Sequence, residues 1–68
     1  MESKLAQRLK ELREEKGLSQ IELAKQLQLG SGFIGNIEAG RKSISIETLI
    51  LLTKFFHCSA GYLIGTED

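Results

Sequence analysis

The sequence is short of the residue types that hold small proteins together covalently or through metals. Its 68 residues include one cysteine and one histidine, so an internal disulfide is excluded and no Cys/His cluster has metal-ligand spacing. The longest apolar stretch, residues 49–52, is far below the roughly 18 residues of a membrane span. The charged start is unlike a secretory signal. We therefore expect a cytoplasmic chain without metal or cofactor, stabilised by packing alone.

An excess of charge of either sign is also missing. Lys plus Arg equal Asp plus Glu at nine each, so the basic composition that often marks nucleic-acid-binding domains is absent. Residues 47–68 are the most acidic part, which places an anionic partner nearer the middle of the chain. Proline is absent, and the seven glycines stand mainly at boundaries between apolar patterns. The composition predicts a single globular domain over residues 1–68.

Apolar spacing predicts two helices in the first half of the chain. Leu5, Leu9 and Leu12 recur at helical intervals after Ser3, which can cap the helix. A second helix begins at a capping box within residues 19–22 and runs to about residue 27. Its predicted inward residues are Leu23, Ala24 and Leu27.

Three more helices are predicted in the second half. The third is built around Ile34 and Ile37. The fourth begins at Ser45 and ends at His57, a residue type that tolerates the left-handed conformation of a helix end. Its inward stripe consists of Ile46, Leu49, Leu52 and Phe56. A short fifth helix lies within residues 59–65. The predicted fold class is therefore all-α, a compact five-helix bundle.

The second and third predicted helices form a helix-turn-helix. About three residues separate them, a spacing typical of this motif. Ala24 lies at their expected crossing, where only a small side chain permits close approach. The chain resembles the Cro/C1-type (XRE) family of bacterial and phage regulators, whose pattern is matched by Ser19-Gln20-x-x-Leu23-Ala24, Ile34-x-x-Ile37-Glu38-x-Gly40-x-Lys42 and Ser59-x-x-Tyr62-Leu63-Ile64. The resemblance extends over about residues 5–64.

This resemblance implies a lambda-repressor-like domain whose third helix enters the major groove of double-stranded DNA. Gln20 is expected to grip a phosphate and brace the third helix, and Asn36 to contact a base edge. Arg41 and Lys42 match the family's phosphate-contacting loop. The predicted DNA-binding residues are Gln20, Gly30, Ser31, Gly32, Phe33, Gly35, Asn36, Arg41 and Lys42.

Two side chains allow alternative interpretations. Arg13 either contacts a phosphate or forms a structural ion pair with Glu38, and the resemblance favours the ion pair because a guanidinium suits a carboxylate bidentately. Phe33 either faces DNA or joins the core. Because Ile34 and Ile37 already supply the inward pair, exposure of Phe33 on the DNA face is favoured.

Four positions depart from the family pattern. Gln28 replaces the glycine usual at the end of the second helix, and Gly30 replaces a Ser/Thr cap. Gly32 and Gly35 fall inside the predicted third helix, where each costs about 0.5–1 kcal/mol relative to alanine. The third helix is therefore predicted to be the softest element.

These features predict a sequence-specific, repressor-like transcriptional regulator that binds a palindromic operator as a homodimer. The predicted dimer interface consists of Ile50, Phe55, Tyr62 and Ile64. The alternative is an antitoxin-like or other protein-interaction module that uses the apolar C-terminal region. An enzyme is discounted, since adjacent His57 and Cys58 would point in diverging directions and no phosphate loop is present. Neither a membrane partner nor a small-molecule ligand is indicated.

Overall fold

A computed structural model describes residues 3–67 as five α-helices joined by loops. The helices are α1 (Lys4–Glu15), α2 (Gln20–Gln26), α3 (Phe33–Glu38), α4 (Ile46–Phe56) and α5 (Ala60–Ile64). No strand occurs among these residues, and the predicted all-α class is confirmed. Met1, Glu2 and Asp68 of the predicted domain lie outside the described residues. The longest of the five helices has 12 residues, and none within residues 3–67 combines the length and apolarity needed to cross a membrane.

Serine side chains begin four of the five helices. Each accepts a hydrogen bond from the backbone N–H three residues later, which satisfies an otherwise unpaired donor of the first turn. These serines are Ser3, Ser19, Ser45 and Ser59. The backbone N–H of Ser19 also donates to Glu22 Oε1 at 2.8 Å, which completes the predicted capping box and lowers the pKa of Glu22. α3 begins instead at Gly32, which offers no side-chain cap.

The core is one cluster to which all five helices contribute buried side chains. Its largest fully buried side chains are Leu9, Leu23, Ile34, Ile37, Leu52 and Leu63. Ala24 is buried in the same cluster, and its small side chain suits the close packing of α2 on α3. α1 packs against both α3 and α5, so it contacts the second helix of the helix-turn-helix as well as the C-terminal helix.

The buried face of α4 differs from the predicted stripe at its first residue. Ile46 is 70% exposed, whereas Thr48 is buried. At about 100° per residue, two successive three-residue steps carry Ile46 about 120° away from Leu52. Thr48, four residues before Leu52, lies only about 40° away. The prediction for Ile46 was wrong because three-residue steps drift around a helix.

Two non-glycine residues adopt the left-handed backbone conformation. His57, with φ 55°, forms the C-cap of α4 as predicted. Gln28, with φ 59°, follows α2 at the position where the family pattern has a glycine. A Cβ approaches its own backbone closely in this conformation, and the strain is about 1–2 kcal/mol. The replacement of the family's glycine by Gln28 therefore introduces local backbone strain in the turn before α3.

Gln28→Gly is expected to raise the free energy of unfolding by about 0.5–1 kcal/mol, because relief of the left-handed strain exceeds the entropy cost of glycine. Gln26→Gly provides a matched control, since Gln26 is the last residue of α2 and has helical conformation. The control should lose about 0.5–1 kcal/mol. Denaturant unfolding of both variants measures the two effects. A loss of stability in Gln28→Gly would contradict the assignment of strain to this residue.

Candidate nucleic-acid interface

α3 is shorter than the sequence predicted. It begins at Phe33, with Gly32 as its N-cap, and Ser31 lies in the preceding turn. The connection from α2 therefore spans residues 27–32 instead of about three residues. Neither Gly30 nor Gly32 favours extension of the helix, since glycine gains backbone freedom outside it. Of the two glycines expected inside α3, only Gly35 lies there.

A bidentate ion pair joins α1 to α3. Arg13 Nε donates to Glu38 Oε2 at 2.7 Å, and Arg13 Nη2 donates to Glu38 Oε1 at 3.0 Å. The remaining Nη1 donates to the Leu18 carbonyl at 2.8 Å, which also fixes the segment before α2. The two side chains are 10% and 5% exposed, and the bond to Glu38 raises the pKa of Arg13. Arg13 thus occupies the structural position that the family resemblance favours, buried beneath the helix-turn-helix.

Gln20 lies across α3 and shares this carboxylate. Its Nε2 donates to Glu38 Oε1 at 3.0 Å, so one oxygen of Glu38 accepts from both Gln20 and Arg13. A Cβ built on Gly35 would lie 3.0 Å from Gln20 Oε1, so the missing side chain of Gly35 makes room for this carboxamide. Gly35, predicted among the DNA-binding residues, therefore faces Gln20 within the protein. The second N–H of Gln20 Nε2 stays available to a phosphate oxygen.

Phe33 and Lys42 contact one another beside α3. Phe33 is half-buried and packs against the core, while Lys42 Nζ lies 4.5 Å from the centre of its ring. The expected exposure of Phe33 is therefore only half correct. At the first turn of a six-residue helix, the side chain next to buried Ile34 still reaches the edge of the core. Stacking on the ring holds the Lys42 ammonium near the start of α3.

Asn36 and Arg41 form a second contact between α3 and the loop that follows it. Arg41 Nε donates to Asn36 Oδ1 at 3.1 Å, and the Arg41 backbone N–H donates to the Asn36 carbonyl at 2.9 Å. Sequence reasoning missed this pairing of a predicted base-reading residue with a predicted phosphate-binding residue. The signal that could have found it is Gly40, whose helix-ending conformation turns the next residue back over the last turn.

The predicted dimer residues are only partly available. Ile50 and Ile64 are 48% and 43% exposed, but Phe55 and Tyr62 are half-buried. The Arg8 guanidinium lies 4.3 Å from the centre of the Tyr62 ring, and its Nη1 donates to the carbonyls of Tyr62 and Glu67. Arg8 therefore ties α1 to the C-terminal segment.

The fold and this surface define a helix-turn-helix DNA-binding domain. The HTH_3 helix-turn-helix family matches residues 9–63, and the chain belongs to this Cro/C1-type (XRE) family, as its motifs predict. The matching relatives are transcriptional regulators, which agrees with the prediction that this domain is not an enzyme.

Individual relatives agree with the family assignment. The chain is 39% identical over 61 residues to the HTH-type transcriptional regulator PrpR of Mycobacterium tuberculosis H37Rv, covering 90% of this chain and 13% of PrpR. It is 33% identical over 64 residues to ImmR of Bacillus subtilis 168, covering 94% and 50%. The chain thus spans half or less of the length of these curated relatives. A crystal structure of a hypothetical transcription factor, NHTF from Neisseria, is similar with a TM-score of 0.83 and 27% identity, covering 91% of this chain and 71% of that chain.

Proposed function

We propose that the chain is the DNA-binding domain of a sequence-specific, repressor-like transcriptional regulator, which binds a palindromic operator as a homodimer through α3. The observation that carries this proposal is the surface formed by α3 and its following loop. One face of α3 is fixed in the core by Ile34 and Ile37, while Asn36, Arg41 and Lys42 lie together outside it. The surface therefore combines a base-reading amide with two cations.

The residues of this surface divide by the part of DNA that they would contact. Lys42 and Gln20 supply donors for phosphate oxygens, which position the domain on the duplex without reading sequence. Asn36 reads a base edge in the major groove, where each base pair presents its own pattern of donors and acceptors. Ser31 is exposed in the turn before α3 and would lie at the end of the helix nearest the groove. The other predicted DNA-binding residues before α3, Gly30 and Gly32, have no side chain to obstruct the approach.

Selection of bound DNA from a random pool tests this function directly. One operator sequence with two related half-sites should be enriched, and its affinity should fall steeply with salt because each neutralised phosphate releases counterions. The competing antitoxin-like or protein-interaction function is favoured by exposed apolar side chains such as Ile50 and Ile64. An apolar protein contact has little salt dependence. Absence of any enriched DNA, together with a salt-insensitive protein complex, would support that alternative.

Dimerisation follows from the small size of the DNA surface. One domain offers a single recognition helix, whereas two domains related by a two-fold axis read half-sites one helical turn apart, about 34 Å. We place the centre of the interface at Ile50 and Ile64, the exposed members of the predicted set. Phe55 and Tyr62 would contribute only the parts of their rings that Lys16 and Arg8 leave uncovered.

Ile50→Lys is expected to weaken the dimer at least ten-fold, because a charge would have to be buried at the interface. Ile21→Lys is a matched control, since Ile21 is 54% exposed on α2, a different helix from the one that carries Ile50. Sedimentation equilibrium over a range of protein concentrations measures both variants against the native chain. A native chain that stays monomeric at high concentration, with and without operator DNA, would disprove the homodimer.

A further inference from the structure

The loop after α3 joins a phosphate-binding cation to the side chain that reads bases. Resting on the proposed function, we infer that Arg41 sets the base preference of this surface: it holds Asn36 as a hydrogen-bond donor, so that the Arg41–Asn36 pair reads guanine. Arg41 is then a specificity-determining residue and not solely a phosphate contact.

The backbone around Gly40 fixes Arg41 beside Asn36. Gly40 adopts φ 75°, and its N–H donates to the Ile37 carbonyl at 3.0 Å. The N–H of Arg41 donates to the Asn36 carbonyl at 2.9 Å. Together these two bonds form the helix-ending arrangement in which a left-handed glycine turns the next residue back over the last turn. The position of Arg41 relative to Asn36 is therefore set by the main chain before any DNA binds.

The side-chain bond then fixes the orientation of the Asn36 amide. A guanidinium has only donors, so the Asn36 atom that faces Arg41 Nε at 3.1 Å must be the acceptor Oδ1. The donor Nδ2 points the other way, toward Gly32, and would lie 3.8 Å from a Cβ built there. Because Gly32 has no side chain, that residue does not cover the N–H groups of Nδ2 at the start of α3.

This arrangement changes which base the amide fits. A free asparagine amide pairs with adenine by donating to N7 and accepting from N6. Here Oδ1 already accepts from Arg41, which leaves it one lone pair, whereas Nδ2 and the Nη groups of Arg41 supply several donors. Guanine presents two acceptors, N7 and O6, on its major-groove edge. A pair with more donors than acceptors is therefore matched better to guanine than to adenine.

Selection from a random DNA pool with four proteins tests the inference. The native chain should select guanine at the position whose preference Asn36→Ala abolishes, with guanine favoured over adenine between about 5-fold and about 150-fold. Arg41→Ala should lower this ratio at least ten-fold, so that adenine binds as well as guanine or better. Lys42→Ala is the matched control, because Lys42 is the neighbouring cation and contacts Phe33 instead of Asn36. It should weaken binding while guanine stays preferred.

Four results would count against the inference. Native selection of adenine at the Asn36 position would overturn it. So would an Arg41→Ala variant that weakens all sequences equally and keeps guanine, since Arg41 would then contact phosphate alone. A native chain that enriches no sequence would overturn the proposed function itself, and the inference with it. In the free protein, Arg41→Ala should also shift the Asn36 side-chain amide resonances in an NMR spectrum, whereas Lys42→Ala should not. Equal spectra for the native chain and Arg41→Ala would show that the Arg41–Asn36 contact, on which the inference depends, is absent.

Discussion

Glu38→Ala is expected to lower the free energy of unfolding by about 3–5 kcal/mol, whereas Glu47→Ala should lower it by less than about 1 kcal/mol. Removal of the Glu38 carboxylate leaves the Arg13 guanidinium buried without its anion and takes away the partner of Gln20. Glu47 is exposed in the first turn of α4, where it interacts only with the helix dipole. Denaturant unfolding of both variants measures the difference.

The loss in Glu38→Ala is large enough to unfold a domain of this size, so two further variants complete the test. Glu38→Gln keeps the shape and one acceptor and should lose less than Glu38→Ala. Arg13→Met combined with Glu38→Leu removes both charges and should recover much of the loss, because well-packed apolar residues can replace a buried ion pair. Equal midpoints for Glu38→Ala and Glu47→Ala would show that the pair contributes nothing to stability.

Asn36→Ala and Lys42→Ala should impair DNA binding in different ways. Asn36→Ala is expected to cost about 1–3 kcal/mol on the preferred operator and to relax preference at one position, while affinity for scrambled DNA stays nearly unchanged. Lys42→Ala should weaken all sequences alike and reduce the slope of log affinity against log salt by about one per site. Binding measured on operator and scrambled DNA at several salt concentrations separates the two effects.

Lys54→Ala is the control for charge, since Lys54 is an exposed cation in the last turn of α4, outside the proposed surface. It should leave both affinities close to native. If Asn36→Ala lowered operator and scrambled affinities equally, or if Lys42→Ala spared scrambled DNA, the placement of α3 in the major groove would be incorrect.

The helices could be predicted from the sequence because their signals are local. Ser19 and Glu22 are three residues apart, and their capping box depends on little beyond that spacing. The end of α4 at His57 is local in the same way. The exposure of Ile46 and the late start of α3 were not predicted, although their causes are local as well. Three-residue steps drift around a helix, and glycines before α3 do not favour its extension.

The residues of the candidate site could be proposed from the sequence, whereas most of their contacts could not. The pairing of Arg13 with Glu38 came from the family resemblance, and the structure brings the two side chains together over 25 positions of sequence. The contact of Arg8 with the Tyr62 ring was not foreseen, since it depends on how α1 packs against α5. The stacking of Lys42 on Phe33 depends on the path of the loop after Gly40. Such contacts depend on how the helices and loops pack against one another, which the spacing of residues along the chain does not indicate.

The space at Gly35 limits how descendants of this chain can acquire new operators. Any larger residue at position 35 would meet the Gln20 carboxamide, since even a Cβ would come within 3.0 Å of its oxygen. Gln20 in turn is bonded to the carboxylate that holds α1 to α3. Ser31, by contrast, is exposed in the turn before α3, away from the ion pair. Duplicated copies of the gene should therefore change sequence preference more readily through residues 31 and 36, because a larger residue at position 35 requires the Gln20 side chain to shift.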